Sequence, residues 1–239
     1  MLSFDGHDLE SLFVCGSPEI SILNASPTLE EFDSRNGAVF LGQRWGVSTV
    51  AFSIAAIGNA QTRRNAFSQL GAWLAVDEPK KLILPDTPDR YYLAAPEGQC
   101  DLTRGIKGEM TQLAFTLVDP IAYSMTETTI TVPSGGNVTF TVGGTAAAKP
   151  TIRATATRNS TALVWGLRLD SVDFVHVNTG VNAGRVVAID CDARTVTISG
   201  NAAVPTLDSD WLEFTPGSHT LVMDYGTGAA TVKYRERWL

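Results

Sequence analysis

Hydrophobic residues along this chain follow two different periods, and the change between them divides the first half from within. From Val47 to Ile57, Val50, Phe52 and Ile54 fall on one face and Val47, Thr49, Ala51 and Ser53 on the other. A period of two predicts a strand with one buried face. Leu113, Phe115 and Leu117 repeat that pattern between Gln112, Ala114 and Thr116. Between these stretches the spacing lengthens. Phe67, Leu70, Trp73 and Leu74 stand at helical intervals and form one apolar stripe, with Arg63, Arg64 and Gln69 off it. Asn59 or Thr62 supplies the N-cap, because a short polar side chain accepts from the free N–H groups of a first turn. The helix is predicted to end before Pro79. Burying each large residue of the core stripe should stabilise by about 1.5–3 kcal/mol. Trp73→Ala is expected to cost about 3–5 kcal/mol through the cavity it leaves.

Further strands are predicted at Ser11–Cys15, Val39–Leu41, Lys81–Leu84, Tyr91–Ala95 and 109–118. Residues 17–38 behave differently. They carry Pro18, Pro27, Asn36, Gly37 and the acidic Glu30, Glu31 and Asp33, with weak periodicity, and read as an extended arm or long loop. A loop of that length in a compact domain commonly has a job. After Leu117 the pattern breaks. Pro120 stops any ladder, having no N–H to donate, and pushes Asp119 into an extended conformation. Beyond Tyr123 the chain carries only short alternating runs, at 128–132, 138–142, 151–157, 162–169, 171–177, 185–190, 195–198, 211–214, 219–225 and 230–237. Ser134-Gly-Gly-Asn137, Gly143-Gly144 and Gly226 to Gly228 are among the turns between them. Closely spaced strands without a helix predict a β-sandwich. The fold class is therefore mainly β, in two domains at 1–123 and 124–239.

Composition agrees with a globular β-rich chain: 44% of residues are hydrophobic and only 18% charged. No run reaches the roughly 18–20 apolar residues of a membrane span, and the first residues lack a signal peptide's basic and apolar regions. No membrane insertion is expected, and folding is expected in a cytoplasm. The net charge of -7 is uneven. Residues 1–123 hold 15 acidic and 9 basic side chains, net −6, against 10 and 9, net −1, in the remainder. An acidic first half argues against tight nucleic-acid binding, which depends on neutralising phosphates.

Candidate chemistry is sparse. Cys15, Cys100 and Cys191 are scattered and without metal-ligand spacing, and read as reduced, partly buried thiols. None of His7, His176 and His219 lies beside a nucleophile elbow. His176 sits in an alternating strand and reads as structural. Asp190 and Asp192 flank Cys191 in a predicted hairpin turn, where turn-forming aspartates are ordinary. Trp165 and Trp211 are predicted core. No catalytic, cofactor or metal set stands out, and an enzyme is the weakest reading.

Taken in order, several segments resemble the distal tail proteins of long-tailed bacteriophages. Phe4-Asp-Gly-His-Asp-Leu-Glu-Ser-Leu-Phe-Val14 is similar to that family's first strands. Gly42-Gln-Arg-Trp-Gly46, with the strand through Ile57, is similar to its central sheet entry. The helix Arg63 to Leu74, running into Lys81-Leu-Ile-Leu-Pro85, resembles its single helix and following hairpin. Leu113 to Tyr123, with an Asp-Pro and an aromatic, resembles its domain-closing strand, and Arg235-Glu-Arg-Trp238 its C-terminus. The resemblance spans nearly the whole chain and rests on order and spacing.

The resemblance implies a tail-tube-like β-sandwich or barrel with one α-helix, assembling as a homohexamer ring around a channel in one or more stacked layers. A C-terminal galectin-like β-sandwich would follow it. The implied role is a structural virion protein at the distal end of the tail, assembled in the bacterial host cytoplasm. As a baseplate hub it would join the tail-tube protein and tape measure to the tail-fibre or receptor-binding proteins. DNA would pass through without specific binding. The histidine, asparagine and arginine set of sugar-binding galectins is unmatched, so no carbohydrate site carries over. A closed ring requires a heterologous interface, and an arm or exposed strand edge provides one. Pro27, Glu30, Glu31, Phe32 and Asp33 are therefore the assembly candidates, and Asp119, Pro120 and Tyr123 mark the domain seam. The acidic first half suits a channel wall to which phosphates do not stick. Two other readings are a carbohydrate- or receptor-binding module, and a tail-tube or baseplate subunit that polymerises past one ring.

Overall fold

The structure, a computed structural model, describes residues 1–21, 24–33, 36–98, 100, 103–104 and 108–239. The chain separates into two compact units, Met1–Tyr123 with Leu239, and Ser124–Trp238. The fold is mainly β, with one α-helix among the described residues.

The first unit contains β1 (Ser3–Phe4), β2 (His7–Asp8), β3 (Val14–Cys15), β4 (Glu19–Ile20), β5 (Ala25–Glu31), β6 (Ala38–Trp45) and β7 (Ser48–Ile57). Helix α1 (Ala60–Leu74) follows, then β8 (Lys80–Ile83), β9 (Arg90–Glu97), β10 (Thr103–Arg104), β11 (Gly108–Leu117) and β12 (Ala122–Ser124). Its main sheet runs β2-β1-β8-β9-β11-β7-β3. The two long alternating strands pair antiparallel at its centre, with Phe52 opposite Leu113 and Val50 opposite Phe115. This register puts Val50, Phe52, Ile54, Leu113, Phe115 and Leu117 on one face, all at 2% exposure or less. Phe115 is the common contact, its ring 4.8 Å from Phe4 and 5.9 Å from Phe52.

Asn59 caps α1, its Oδ1 accepting from the Thr62 N–H at 2.8 Å. The helix lays its stripe on the same core, but unevenly. Leu70 and Ala66 are buried, whereas Phe67, Trp73 and Leu74 stay half-exposed at the margin. Phe67 lies 5.2 Å from the Phe13 ring, and Trp73 stacks on His7 at 4.6 Å.

Three predicted elements differ in the structure. Ser11–Cys15 is not one strand: Leu9–Ser11 forms a 3-10 turn capped by Asp8, and only Val14–Cys15 pairs, against β7. Burial of Leu9 draws the chain inward there. The stretch 17–38 is not a plain loop, since it contains β4 and β5, and β5 pairs with β6 as a hairpin. Its weak periodicity has a simple cause: every residue of β5 is exposed, so neither face needed to be apolar for this unit's own core. Positions 22–23 and 34–35 of the anticipated arm lie outside the described residues. Residues 211–214 form no strand, although Leu212 and Phe214 are buried; the only pairing there is an isolated bridge from Phe214 to Ala148.

The second unit contains β13 (Thr128–Val132), β14 (Asn137–Val142), β15 (Thr151–Thr155), β16 (Trp165–Leu169), β17 (Asp173–Val177) and β18 (Val186–Asp190). It continues with β19 (Thr195–Ile198), β20 (Asn201–Ala202), β21 (Gly217–Tyr225), β22 (Ala230–Tyr234) and β23 (Arg237–Trp238). A sheet ordered β13-β22-β15-β18-β19-β20 and a sheet ordered β14-β21-β16-β17 enclose one core. Trp165, Leu167, Val175, Leu221 and Val232 fill it, and Trp211 packs at its edge.

Phe115→Ala should destabilise the first unit by about 3–5 kcal/mol, because its ring has no solvent-facing side. Trp73→Ala should cost less, below about 3 kcal/mol, since half-burial leaves a dent and not a cavity. Urea unfolding of both variants tests the order. A larger loss at Trp73 would show that α1, and not the β7–β11 pair, centres this core.

Candidate assembly surface

An uncovered feature of the first unit is the hairpin of β5 and β6. Its register runs from Ala25 opposite Trp45 to Glu31 opposite Ala38, with a bulge where Thr28 passes to Leu29. Alternation puts Ala25, Pro27, Leu29 and Glu31 on one face with their partners Trp45, Gln43, Phe40 and Ala38. Ser26, Thr28 and Glu30 share the other with Arg44, Gly42 and Val39. One face is therefore mostly apolar and lacks a cover within the described chain. Leu29 is 57% exposed, Phe40 59% and Trp45 45%. Scattered exposed hydrophobes are normal, whereas a contiguous set on one ribbon marks a surface that something else covers. An isolated two-stranded hairpin is also marginal in water on its own.

Of the sequence candidates, Pro27, Glu30 and Glu31 lie on β5, with Phe32 and Asp33 immediately beyond it. Pro27 and Glu31 share the apolar face, and Glu30 the polar one. The partner strand contributes Phe40, Leu41 and Trp45, which the sequence places in a strand and in the family resemblance but not among the assembly candidates. Their signal was available in Val39-Phe40-Leu41, a consecutive apolar run that fits neither a half-buried strand nor a polar loop.

A second apolar feature of the same unit is a groove of about 560 Å³, lined by Pro18, Ile20, Ser48, Tyr92, Leu117 and Pro120. The Ser48 hydroxyl is buried there without a hydrogen-bond partner among the described residues. Pro120 thus forms part of a wall. Near it, the Tyr123 phenol donates to Asp119 Oδ2, and its ring stacks on Tyr91 at 5.5 Å. The outward face of the β7–β11 pair is small and uncharged: Thr49, Ala51, Ser53 and Ala55 lie opposite Thr116, Ala114, Gln112 and Met110.

Known proteins resemble this chain in sequence and in fold. Residues 143–238 match the family described as siphovirus-type tail component, C-terminal domain. The distal tail protein of Bacillus phage SPP1 is 26% identical over 248 residues, covering 100% of this chain and 95% of that protein. The chain is similar to that distal tail protein over its whole length.

The fold agrees with that likeness. The crystal structure of the SPP1 distal tail protein, described as a paradigm of the hub of the adsorption apparatus in phages infecting Gram-positive bacteria, superposes with a TM-score of 0.81. That match, at 20% identity, covers 100% of this chain and 98% of the other. A chain of the phage P2 baseplate in its activated conformation superposes with a TM-score of 0.52 at 11% identity, over 96% of this chain and 92% of that one. This chain thus shares the fold of these solved proteins.

Several titratable groups are tied into the chain's own framework. Asp190 Oδ1 accepts from the N–H groups of Asp192 and Ala193, both at 2.9 Å, and Asp192 pairs with Lys149 and Arg237. Asp190 thus holds the turn, while Asp192 is engaged by the Lys149 and Arg237 side chains. His176 faces Asp224, which also receives Arg168 Nε at 2.7 Å. Burial pushes the Cys15 thiol up to about 11 and the Cys191 thiol up to about 12, so neither is a ready nucleophile. Cys100, expected to be partly buried, is exposed.

His219 is the one histidine whose protonation follows from geometry. Its Nδ1 lies 2.6 Å from Asp170 Oδ2 and its Nε2 2.6 Å from the Thr215 carbonyl oxygen. Both partners accept, so both ring nitrogens donate and the ring is an imidazolium. Burial alone would lower the His219 pKa, but the bonds to Asp170 and Thr215 outweigh it and the net shift is upward. Asp170 is held below the usual carboxylate range by the bonds from His219 and the Thr220 N–H.

The two shifts bound a pH window. A raised histidine pKa contributes stability that is complete below its unfolded value and is lost as pH rises through the folded one. The lowered Asp170 pKa contributes above its unfolded value, a gain lost as pH falls through the folded one. The urea midpoint of the second unit should therefore fall as pH rises above the free-imidazole value of about 6.5 and through the raised folded one, and the slope should flatten in His219→Gln. Parallel slopes in the two proteins would show that His219 is neutral.

Proposed function

We propose that copies of this chain build a closed ring at the distal end of a phage tail. This hub would join the tail tube and tape measure to the receptor-binding apparatus. The hairpin carries the reading. An apolar face that the chain itself does not cover, on a projecting ribbon, suits docking on a different patch of a neighbouring copy. Repetition of that heterologous contact closes a ring. Six copies follow from the family resemblance, as does assembly in the host cytoplasm. The apolar groove at Pro18, Ile20 and Pro120 is a complementary patch available in the same unit.

We assign the channel wall to the outward face of β7 and β11. Its small hydroxyl, methyl and amide groups offer no cation to passing phosphates, and the net charge of residues 1–123 repels them. DNA would then slide through without specific binding.

Assembly can be tested at the hairpin. Leu29→Asp with Phe40→Asp should leave both units folded, because these side chains touch neither core, yet place two charges in the proposed contact. Each buried anchor lost typically weakens an interface by about 2 kcal/mol or more, roughly 30-fold. The variant should therefore sediment as a monomer at concentrations where the unaltered chain gives rings by negative-stain imaging. Intact rings from the double variant would rule out the hairpin as the main contact.

A further inference from the structure

A groove in the second unit, between the loop 178–185 and β20, is built like a ligand site. It holds about 560 Å³, within the size range of small-molecule clefts. Asn178, Asn182, Arg185 and Asn201 converge on it, with Ile198 and Val204 as apolar wall. No carboxylate is among its lining residues. The side chains of those four polar residues make no hydrogen bond or ion pair within the chain among the described residues.

The walls are fixed although these side chains are not. Val181 is buried at 2% exposure and anchors the loop from below. The Ala183 N–H donates to Asn159 Oδ1 at 3.2 Å. Gly180 approaches the preceding loop so closely that a Cβ there would lie 2.3 Å from the Ala162 carbonyl oxygen, which excludes any larger residue. On the other side the Asn178 N–H donates to the Val204 carbonyl at 3.0 Å, and the Ala203 N–H to the Val196 carbonyl at 2.9 Å. A backbone already held in place pays little ordering entropy when a ligand arrives.

The donor set indicates the ligand class. Carboxamides both donate and accept, which matches hydroxyl groups that do the same. A guanidinium only donates and keeps its charge, so it seeks an anion. Aliphatic wall suits the C–H face of a sugar ring. We propose that this groove binds a saccharide carrying an acidic group, with ring hydroxyls on the three asparagines and the acid on Arg185. The site does not depend on ring assembly, and its test reads the two separately.

The full chain should be titrated with trigalacturonate, with neutral galactotriose and with inorganic phosphate, by calorimetry and saturation-transfer NMR. Trigalacturonate should bind saturably and galactotriose about tenfold more weakly or worse, since a hydrogen bond to a charged group discriminates by that order. Arg185→Ala should weaken trigalacturonate about tenfold or more, and Asn182→Ala several-fold. Both variants should sediment as the unaltered chain does. Failure of trigalacturonate to bind, unchanged binding in both variants, or equal affinity for the neutral trimer would each overturn the assignment. So would phosphate competing as well as trigalacturonate itself. Loss of assembly in Arg185→Ala would overturn it too, marking the groove as a subunit contact.

Discussion

The in-register pairing of β7 with β11 is the constraint on which the first unit rests. Ten residues of each strand lie opposite one another, from Gly108–Ile57 to Leu117–Ser48. Side chains alternate with a period of two, so a slip by one would turn Val50, Phe52, Ile54, Leu113, Phe115 and Leu117 out of the core together. With that register fixed, the helix has a floor to lie on, and Phe4 and Leu82 have a ring to pack around. The same register sets the opposite face, where threonines, serines and alanines have no burial to seek.

A core that is complete without the β5–β6 hairpin leaves the hairpin available. Nothing in β5 is buried by its own unit, so its composition answers to a different requirement. Exposed Leu29, Phe40 and Trp45 on one face have a hydrophobic cost in water that an isolated chain does not recover. The proposed assembly would give that cost a purpose, since a subunit that assembles carries part of its core on its surface.

The second unit divides its labour in a comparable way. Its interior is a dense aliphatic and aromatic core around Trp165, and its charged groups are spent on turns and strand ends. His219 with Asp170, Asp192 with Lys149 and Arg237, and Asp224 with Arg168 and His176 are closed sets. The side chains of Asn178, Asn182, Arg185 and Asn201 lie outside these sets and share one groove, which is why that groove and not the buried histidines suggests a ligand.

The sequence by itself determined what alternation and helical spacing can encode. The two central strands, the capped helix and the many-stranded second half were all legible, because one buried face imprints a period on the residues that make it. It did not settle β5, where Ala25, Pro27 and Leu29 alternate with Ser26, Thr28 and Glu30 but Pro27 and the acidic residues blur the strand signal and both faces are exposed. It also missed the hairpin of β1 and β2, although Asp5-Gly6, with φ of 49° and 79°, is a strong local turn signal; the strands are two residues each, too short to show a pattern. At 211–214 the alternation was real but reflected burial without ladder pairing. Whether Trp73 is core or margin, which partner strand completes the apolar face of the hairpin, and which polar side chains converge at Arg185 were decided only by the tertiary structure. Each depends on residues far apart in the chain being brought together, and such pairings leave no trace in local spacing.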